Sequence, residues 1–325
     1  MLTVCVIGRN EAKNLPRLIK SLDLLNGLPF RVEKIFIDSA SSDSTLEIAQ
    51  SYFNRVCSLE ESANLCASAG RFIGTLKSSG EWILYLDGDM QLCADFIAVI
   101  ERTVVSDYRR EGAIGKYCYI YGIDNVRDNA LSQKGEGKLV NHFGGAVLLP
   151  RDAVITATWD PCIFSNEEIE LYTRLRANGV VVRFFDVPMI AHFTRKLPKW
   201  KILVYLFVPS PNGLGKKFFG IGQVLAARIK SRSLCSLIRF FPYPFVFWTG
   251  LLLAIVFIFS GHMFLGVLAV LAVIAYITVS KSPSFLILYL AFIVQALLGW
   301  RKYDQGYIPV IRAEYQNQHC KKQEK

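Results

Sequence analysis

The chain has 325 residues, 52% of them hydrophobic, with 37 Lys and Arg against 27 Asp and Glu, a formal charge of +10. That length gives one large or two ordinary domains, and a mean hydropathy of +0.31 is high for a chain that is soluble throughout. Eight scattered Cys without a C-x-x-C pair argue against a zinc knot or a disulfide framework and fit a reducing compartment.

The first ninety residues alternate strand-like and helix-like signals. Thr3–Ile7 reads as a strand. Arg9-Asn10-Glu11 follows at once, so the N-terminus lacks the pattern of a signal peptide. Leu15, Leu18, Ile19 and Leu22 give Glu11–Leu25 helical spacing. Lys34–Ile37 is a second strand, and Asp43 or Ser44 is placed to cap a helix running to Phe53. Arg55–Cys57 is a third strand, Ala63–Ser78 a helix, and Trp82–Leu86 a fourth strand. This order predicts a parallel sheet with right-handed crossovers, whose ligands lie beyond the carboxyl ends of the strands. Asn10, Glu11, Asp38 and Asp87 fall at those ends.

Beyond a helix at Asp95–Ser106 the pattern loosens. Ala113–Ile123 and Gly144–Leu149 read as strands, and the polar stretch Asp124–Lys138 between them as a mobile loop. Phe164–Asn178 reads as a helix that Ser165 and Glu168 open with a capping box and Asn178-Gly179 closes. Val180–Phe185 is the last strand of this domain.

Asp87-Gly88-Asp89 places two carboxylates on one side of a turn. Hard divalent cations such as Mg²⁺ or Mn²⁺ take oxygen ligands and often complete their shell with substrate phosphates. Taken alone, the same string is equally a plain turn. The company it keeps decides between the two. "VCVIGRNEAKNL", "IFIDSASSDST", "SAGRFIG" and "WILYLDGDM" arrive in order at the ends of successive elements, and "NHFGGAVLLPRDAV" and "SNEEIELYTRLRANG" follow. Together they resemble the inverting family-2 glycosyltransferases of the GT-A fold, over roughly residues 1 to 200.

The resemblance implies a nucleotide-diphosphate-sugar donor and a divalent cation, Mg²⁺ or Mn²⁺. It implies that Asn10, Glu11, Asp38, Arg71 and Asp87 bind the donor, that Asp89 ligates the cation, and that His192 is a further ligand. Gly144 and Gly145 fall on the acceptor-side strand. Glu167 and Glu168 stand where the family has Glu-Asp, which makes Glu168 the catalytic base that takes the acceptor's proton. A glutamate is one methylene longer than the usual aspartate, and Glu168 is also claimed by the capping box. "KLPKW", residues 196–200, resembles the Gln-x-x-Arg-Trp segment of processive polysaccharide synthases, in which the Trp helps bind the acceptor. Here Lys replaces both Gln and Arg, and Trp200 is equally an interfacial anchor.

Between Val187 and Tyr303 there is no Asp or Glu, while Lys and Arg continue to Arg239. The basic tract mixes with Trp and Phe, which suits helices in a membrane interface rather than nucleic acid. Residues 240–280 and 282–300 carry no Asp, Glu, Lys or Arg apart from those that bound them. They predict two or three transmembrane helices, hinged near Ser260-Gly261-His262.

The expected architecture is therefore an α/β chain with a GT-A-like, Rossmann-type mixed sheet and helices on both faces. Residues 1–195 form the transferase domain, with 1–90 the nucleotide half and 91–195 the acceptor half. Residues 196–239 are interfacial, 240–300 span the membrane, and 301–325 are a polar basic tail. The expected function is transfer of a hexose to a lipid-linked or other membrane-presented acceptor, in cell-surface polysaccharide or glycolipid synthesis. The expected place is the inner (cytoplasmic) membrane, multi-pass, with the catalytic domain in the cytosol. Two other readings remain open: a polyisoprenyl-phosphate hexosyltransferase, and a non-catalytic membrane scaffold that keeps a degenerate transferase domain. The sequence does not name the sugar, the nucleotide base, the acceptor or the oligomeric state.

Overall fold

The structure is a computed structural model, and it describes residues 1–62, 64–106, 110–121, 125–128, 137–140, 142–194, 216–230, 243–279 and 295–317. The chain divides into two compact units, one of residues 1–198 with 304–325 and one of residues 199–303.

The first unit is built on an eleven-stranded mixed sheet. Its parallel half follows the predicted alternation. Strands β1 (Leu2–Gly8), β2 (Val32–Asp38), β3 (Arg55–Leu59) and β4 (Trp82–Asp87) lie in the order β3-β2-β1-β4. Helices α1 (Leu15–Leu22), α2 (Thr45–Tyr52) and α3 (Ala67–Lys77) connect them. The apolar runs of β1 and β4 are buried on both faces, as a helix-covered parallel sheet requires. Helix α1 is shorter than its apolar spacing predicts, because Pro16 sits in its first turn and the chain tightens into a 3₁₀ turn at Asp23–Gly27.

The other half reverses direction. Past the short β5 (Met90–Leu92) and α4 (Ile97–Val105), β6 (Glu111–Tyr121) pairs with a small strand β7 (Asn125–Asp128). Part of the stretch expected to be a loop is thus sheet, and 129–136 lies outside the described residues. Strand β8 (Lys138–Leu139) pairs with β10, and β9 (Val147–Pro150) lies antiparallel between β4 and β6. Helices α5 (Arg151–Ala157) and α6 (Glu167–Ala177) follow. The last strand, β10 (Val181–Thr194), does not stop at Phe185. It continues through a register shift at Pro188, which has no N–H to give the ladder, and so carries His192 inside the sheet.

The C-terminal segment is not the free polar tail expected. Residues Ile311–Gln316 form β11, antiparallel to β3 at the sheet's edge. Glu314 meets Arg55 and Lys77 there. Upstream, the Asp304 N–H donates to Cys162 Sγ at 3.1 Å, and the Glu60 N–H to Val310 O at 2.8 Å.

The second unit holds α7 (Lys216–Lys230), α8 (Tyr243–Phe259), α9 (Met263–Val279) and a helical turn at 295–301. The expected break at Ser260–His262 is present, with Gly261 in the left-handed region. The expected spans are not. Helices α8 and α9 have 17 residues each, about 25 Å at 1.5 Å per residue, against a hydrocarbon core of about 30 Å. No helix among the described residues is long and apolar enough to cross a membrane, which removes the basis for a multi-pass placement in the inner membrane. Helix α7 also departs from the interfacial expectation: Ile221, Gln223, Val224, Ala226, Ala227 and Arg228 are all buried. Trp200 and the rest of residues 196–200 lie outside the described residues.

Candidate active site

The parallel register sets the site's floor. Gly8 of β1 stands beside Asp38 of β2, and Ile7 beside Asp87 of β4, so three strand ends finish at one level. Asp38 is buried; its carboxylate accepts from the Ser41 N–H at 3.2 Å and from Ser58 Oγ at 3.0 Å. Asn10 has φ 58, a left-handed conformation that Asn tolerates. Its Oδ1 accepts from the Ser42 N–H at 2.8 Å, and its own N–H donates to Ser41 Oγ at 2.9 Å. Asn10 therefore stitches the β1 turn to the β2 turn. Beside it, Glu11 accepts from Asn14 Nδ2 at 2.7 Å. Burial, and then the neighbouring Asp89 and Asp87, push its carboxyl up against the pull of that bond.

Gly88 is both the bend and a close contact. Its N–H donates to Ile7 O at 2.8 Å, and a Cβ there would lie 2.9 Å from Glu11 Cγ. The turn aims Asp87 and Asp89 in different directions. Asp89 meets His192, brought across by the antiparallel pairing of β10 with β5, with Oδ2 and Nε2 2.8 Å apart. Both side chains remain partly exposed. Burial draws His192 down, but the Asp89 bond and the nearby acids leave it raised. Among the described residues no group of three or more His, Cys, Asp or Glu is arranged to hold a metal ion. Asp89 and His192 supply two donors, an oxygen and an imidazole, which fits a divalent cation whose other ligands are phosphate and water.

Asp87 turns inward instead. Its Oδ1 accepts from Arg71 Nη2 at 2.8 Å. Arg71, from the first turns of α3, is 2% exposed. Its Nη1 donates to Glu167 Oε1 at 2.8 Å and lies 3.8 Å from Glu168 Oε1, and its guanidinium sits 5.2 Å over the Trp159 ring. The resemblance gives Arg71 to the donor diphosphate; here its two terminal nitrogens join the strand end to the start of α6, and its Nε makes no hydrogen bond. Gly145 meets the same pair: a Cβ would lie 2.6 Å from both Arg71 Nη2 and Asp87 Oδ2. At Gly144 a Cβ would lie 2.7 Å from the Tyr117 ring.

Helix α6 does not begin as expected. Asn166 is its N-cap, left-handed at φ 63, with no side-chain cap bond, so the Ser165–Glu168 box does not form. Glu168 is left facing the cluster. Burial, then the charge of Glu167, push its carboxyl up to about 8, although Arg71 pulls the other way.

Sequence reasoning missed four contributors. Tyr117 accepts from the Ala146 N–H at 3.1 Å and donates to Ala146 O, pinning the Gly144–Gly145 strand entry. Trp159 underlies Arg71. Cys66 Sγ donates to Pro161 O and Ile163 O at 3.3 Å each, and Ser68 Oγ to Asp160 O at 2.6 Å, which ties the start of α3 to the approach to α6. None belongs to a local pattern, since each acts on a segment at least 29 residues away.

Comparison with known proteins finds relatives of the chain and of its fold. The chain is 24% identical over 246 residues to a cholesterol galactosyltransferase of Borreliella burgdorferi, covering 73% of this chain and 67% of that one. It is 29% identical over 126 residues to a 4,4'-diaponeurosporenoate glycosyltransferase of Staphylococcus haemolyticus, covering 37% of this chain and only 33% of the relative. The fold is similar to that of S. aureus TarS 1–349, solved in complex with UDP-GlcNAc, with a TM-score of 0.51 at 16% identity, over 74% of this chain and 73% of that one. The family model for glycosyl transferase family 2 matches residues 3–120, and with its GT-A-like mixed sheet the chain carries a family 2 glycosyltransferase domain.

Proposed function

We propose that the protein transfers a sugar from a nucleotide diphosphate sugar to the hydroxyl of a lipid acceptor, inverting the anomeric centre. The observation that carries this is the convergence of Asp38, Asp87 and the Asp89–His192 pair at neighbouring strand ends, linked through Arg71 to Glu168. Asp38, an acceptor at the floor, suits the N–H edge of a nucleotide base. Asp89 and His192 would hold a divalent cation, which offsets the charge of the departing diphosphate. Glu168 takes the proton of the acceptor hydroxyl while that oxygen attacks the anomeric carbon from the face opposite the leaving group. The carbon–oxygen bond to the diphosphate breaks, and the nucleoside diphosphate leaves with the electron pair. The absence of the capping box supports Glu168 as base, because Ser165 is not the residue that caps α6 and Glu168 does not close a box with it. A lipid acceptor is supported by the relative named for cholesterol, a hydroxyl-bearing lipid.

Calorimetry with UDP-sugars, with and without Mn²⁺, tests the donor half of this reading. Wild type binds a donor more tightly with Mn²⁺, and Asp89→Ala loses at least about tenfold of that gain while keeping its circular dichroism. Metal-independent binding that Asp89→Ala leaves intact would remove the cation assignment. An acceptor that is a phosphate is already ionised, so a fully active Glu168→Gln would point to that acceptor instead.

A further inference from the structure

Glu167 and Glu168 open α6 side by side but stand in different surroundings. Glu167 is buried and takes a direct 2.8 Å bond from Arg71 Nη1. Asp87 takes an equally short one from Nη2. Glu168 is 3.8 Å from the same guanidinium and 20% exposed, toward the site. Three carboxylates thus share one cation in a largely dry cluster, so the set cannot stay fully ionised without cost. Glu167 and Asp87 take the two short bonds to Arg71. The third, Glu168, is the one that accepts a proton.

We propose that Glu167 is a positioning residue that acts through Arg71: by occupying the near edge of the guanidinium it withholds that cation from Glu168 and so makes Glu168 a strong base. This rests on the reading of Glu168 as the base. The groups that face Glu168 are Glu167 on its own helix, Arg71 on α3, Asp87 at the end of β4 and Tyr117 on β6. Arg71, and after it the backbone N–H of Glu168 itself, draw its proton affinity down. Removing the charge of Glu167 has two effects of one sign. It deletes a neighbouring negative charge, and it frees Arg71 Nη1 to bond Glu168.

The test is the pH dependence of kcat/KM for wild type, Glu167→Gln, Glu167→Asp and Glu168→Gln, with Mn²⁺ in excess and a donor that wild type turns over. Glu167→Gln is expected to move the acidic limb down by about one pH unit or more and to lower kcat at the plateau, with the donor KM changed little. Glu167→Asp keeps the charge and holds the limb near its wild-type position. Where Glu167→Gln does not fold, Glu167→Met, a neutral side chain of similar length, takes its place. Where a folded variant is too slow to assay, carboxyl ¹³C titration of Glu168, identified by its loss in Glu168→Gln, reads the same shift. An unmoved limb or titration, with Glu168→Gln inactive, overturns this inference and leaves the base in place. A raised donor KM with an unmoved limb makes Glu167 a donor contact instead. An active Glu168→Gln with the wild-type limb overturns the base reading itself.

Discussion

At the scale of single residues the site is a set of contacts with no spare room. Gly145 is the sharpest case, because any side chain there meets Arg71 and Asp87 at 2.6 Å. Gly145→Ala is therefore expected to push the ion pair apart, costing about 1–3 kcal/mol of stability by overpacking. It is also expected to lower kcat/KM at least about tenfold, the scale of a misplaced site group. Thermal melts and steady-state kinetics on the same preparation check both. Because Glu168 must lose its proton to act, and its carboxyl is pushed up to about 8, wild-type kcat/KM should rise with pH and level off above that value. The acids at the strand ends were legible in the sequence, since strand ends of a parallel sheet are where ligands gather. What each acid touches was not. Arg71 reads as a phosphate ligand until its partners, Asp87 and Glu167, are seen to come from two distant segments. Glu168 reads as half a capping box until the left-handed Asn166 is seen to turn the chain another way.

At the scale of elements, the site depends on keeping the starts of α3 and α6 together. Cys66 and Ser68 do so by donating to three carbonyls of the segment before α6. Ser68→Ala removes the shortest of these bonds in a buried setting, and is expected to cost about 1–2 kcal/mol. It should lower kcat more than donor affinity, as the base drifts while the strand-end floor stays intact. Denaturant unfolding and calorimetric donor binding separate the two effects. The strap 304–317 works at the same scale. It ties residue 304 to Cys162, residue 310 to Glu60, and β11 to the edge of β3. Deleting residues 304–325 uncovers the backbone of β3. The deletion is expected to lower the melting temperature and to produce concentration-dependent association by light scattering, since a bare edge strand recruits another. No pattern in the tail announced this, because its six Lys and Arg and three Asp and Glu read as a solvated end. The long-range pairing of β11 decides its place.

At the scale of the whole molecule, the parallel half follows from alternating apolar runs and helix-spaced residues, and the structure keeps the predicted order there, with strand boundaries within two residues and with α1 and α3 starting four residues later than predicted. The mixed half, in which β6 and β10 run parallel and β9 and β5 antiparallel to their neighbours, is less legible. Its strands pair across long separations, as β9 does with β4, and β10 carries a register shift that no local spacing encodes. The strongest bulk signal misleads. The uncharged run of residues 240–280 predicts two spans hinged at Ser260–His262; the hinge is present, but the helices described on either side have 17 residues each, and no helix among the described residues is long and apolar enough to cross a membrane. The central claim is glycosyl transfer from a nucleotide diphosphate sugar with Glu168 as base. Its most direct test is nucleoside diphosphate release, followed by mass spectrometry, from a panel of such donors with Mn²⁺ and a hydroxyl-bearing lipid, in wild type and in Glu168→Gln. Wild type is expected to turn over at least one donor and Glu168→Gln to be slower by about 10²–10⁴-fold; equal turnover by the two proteins would rule out Glu168 as the base.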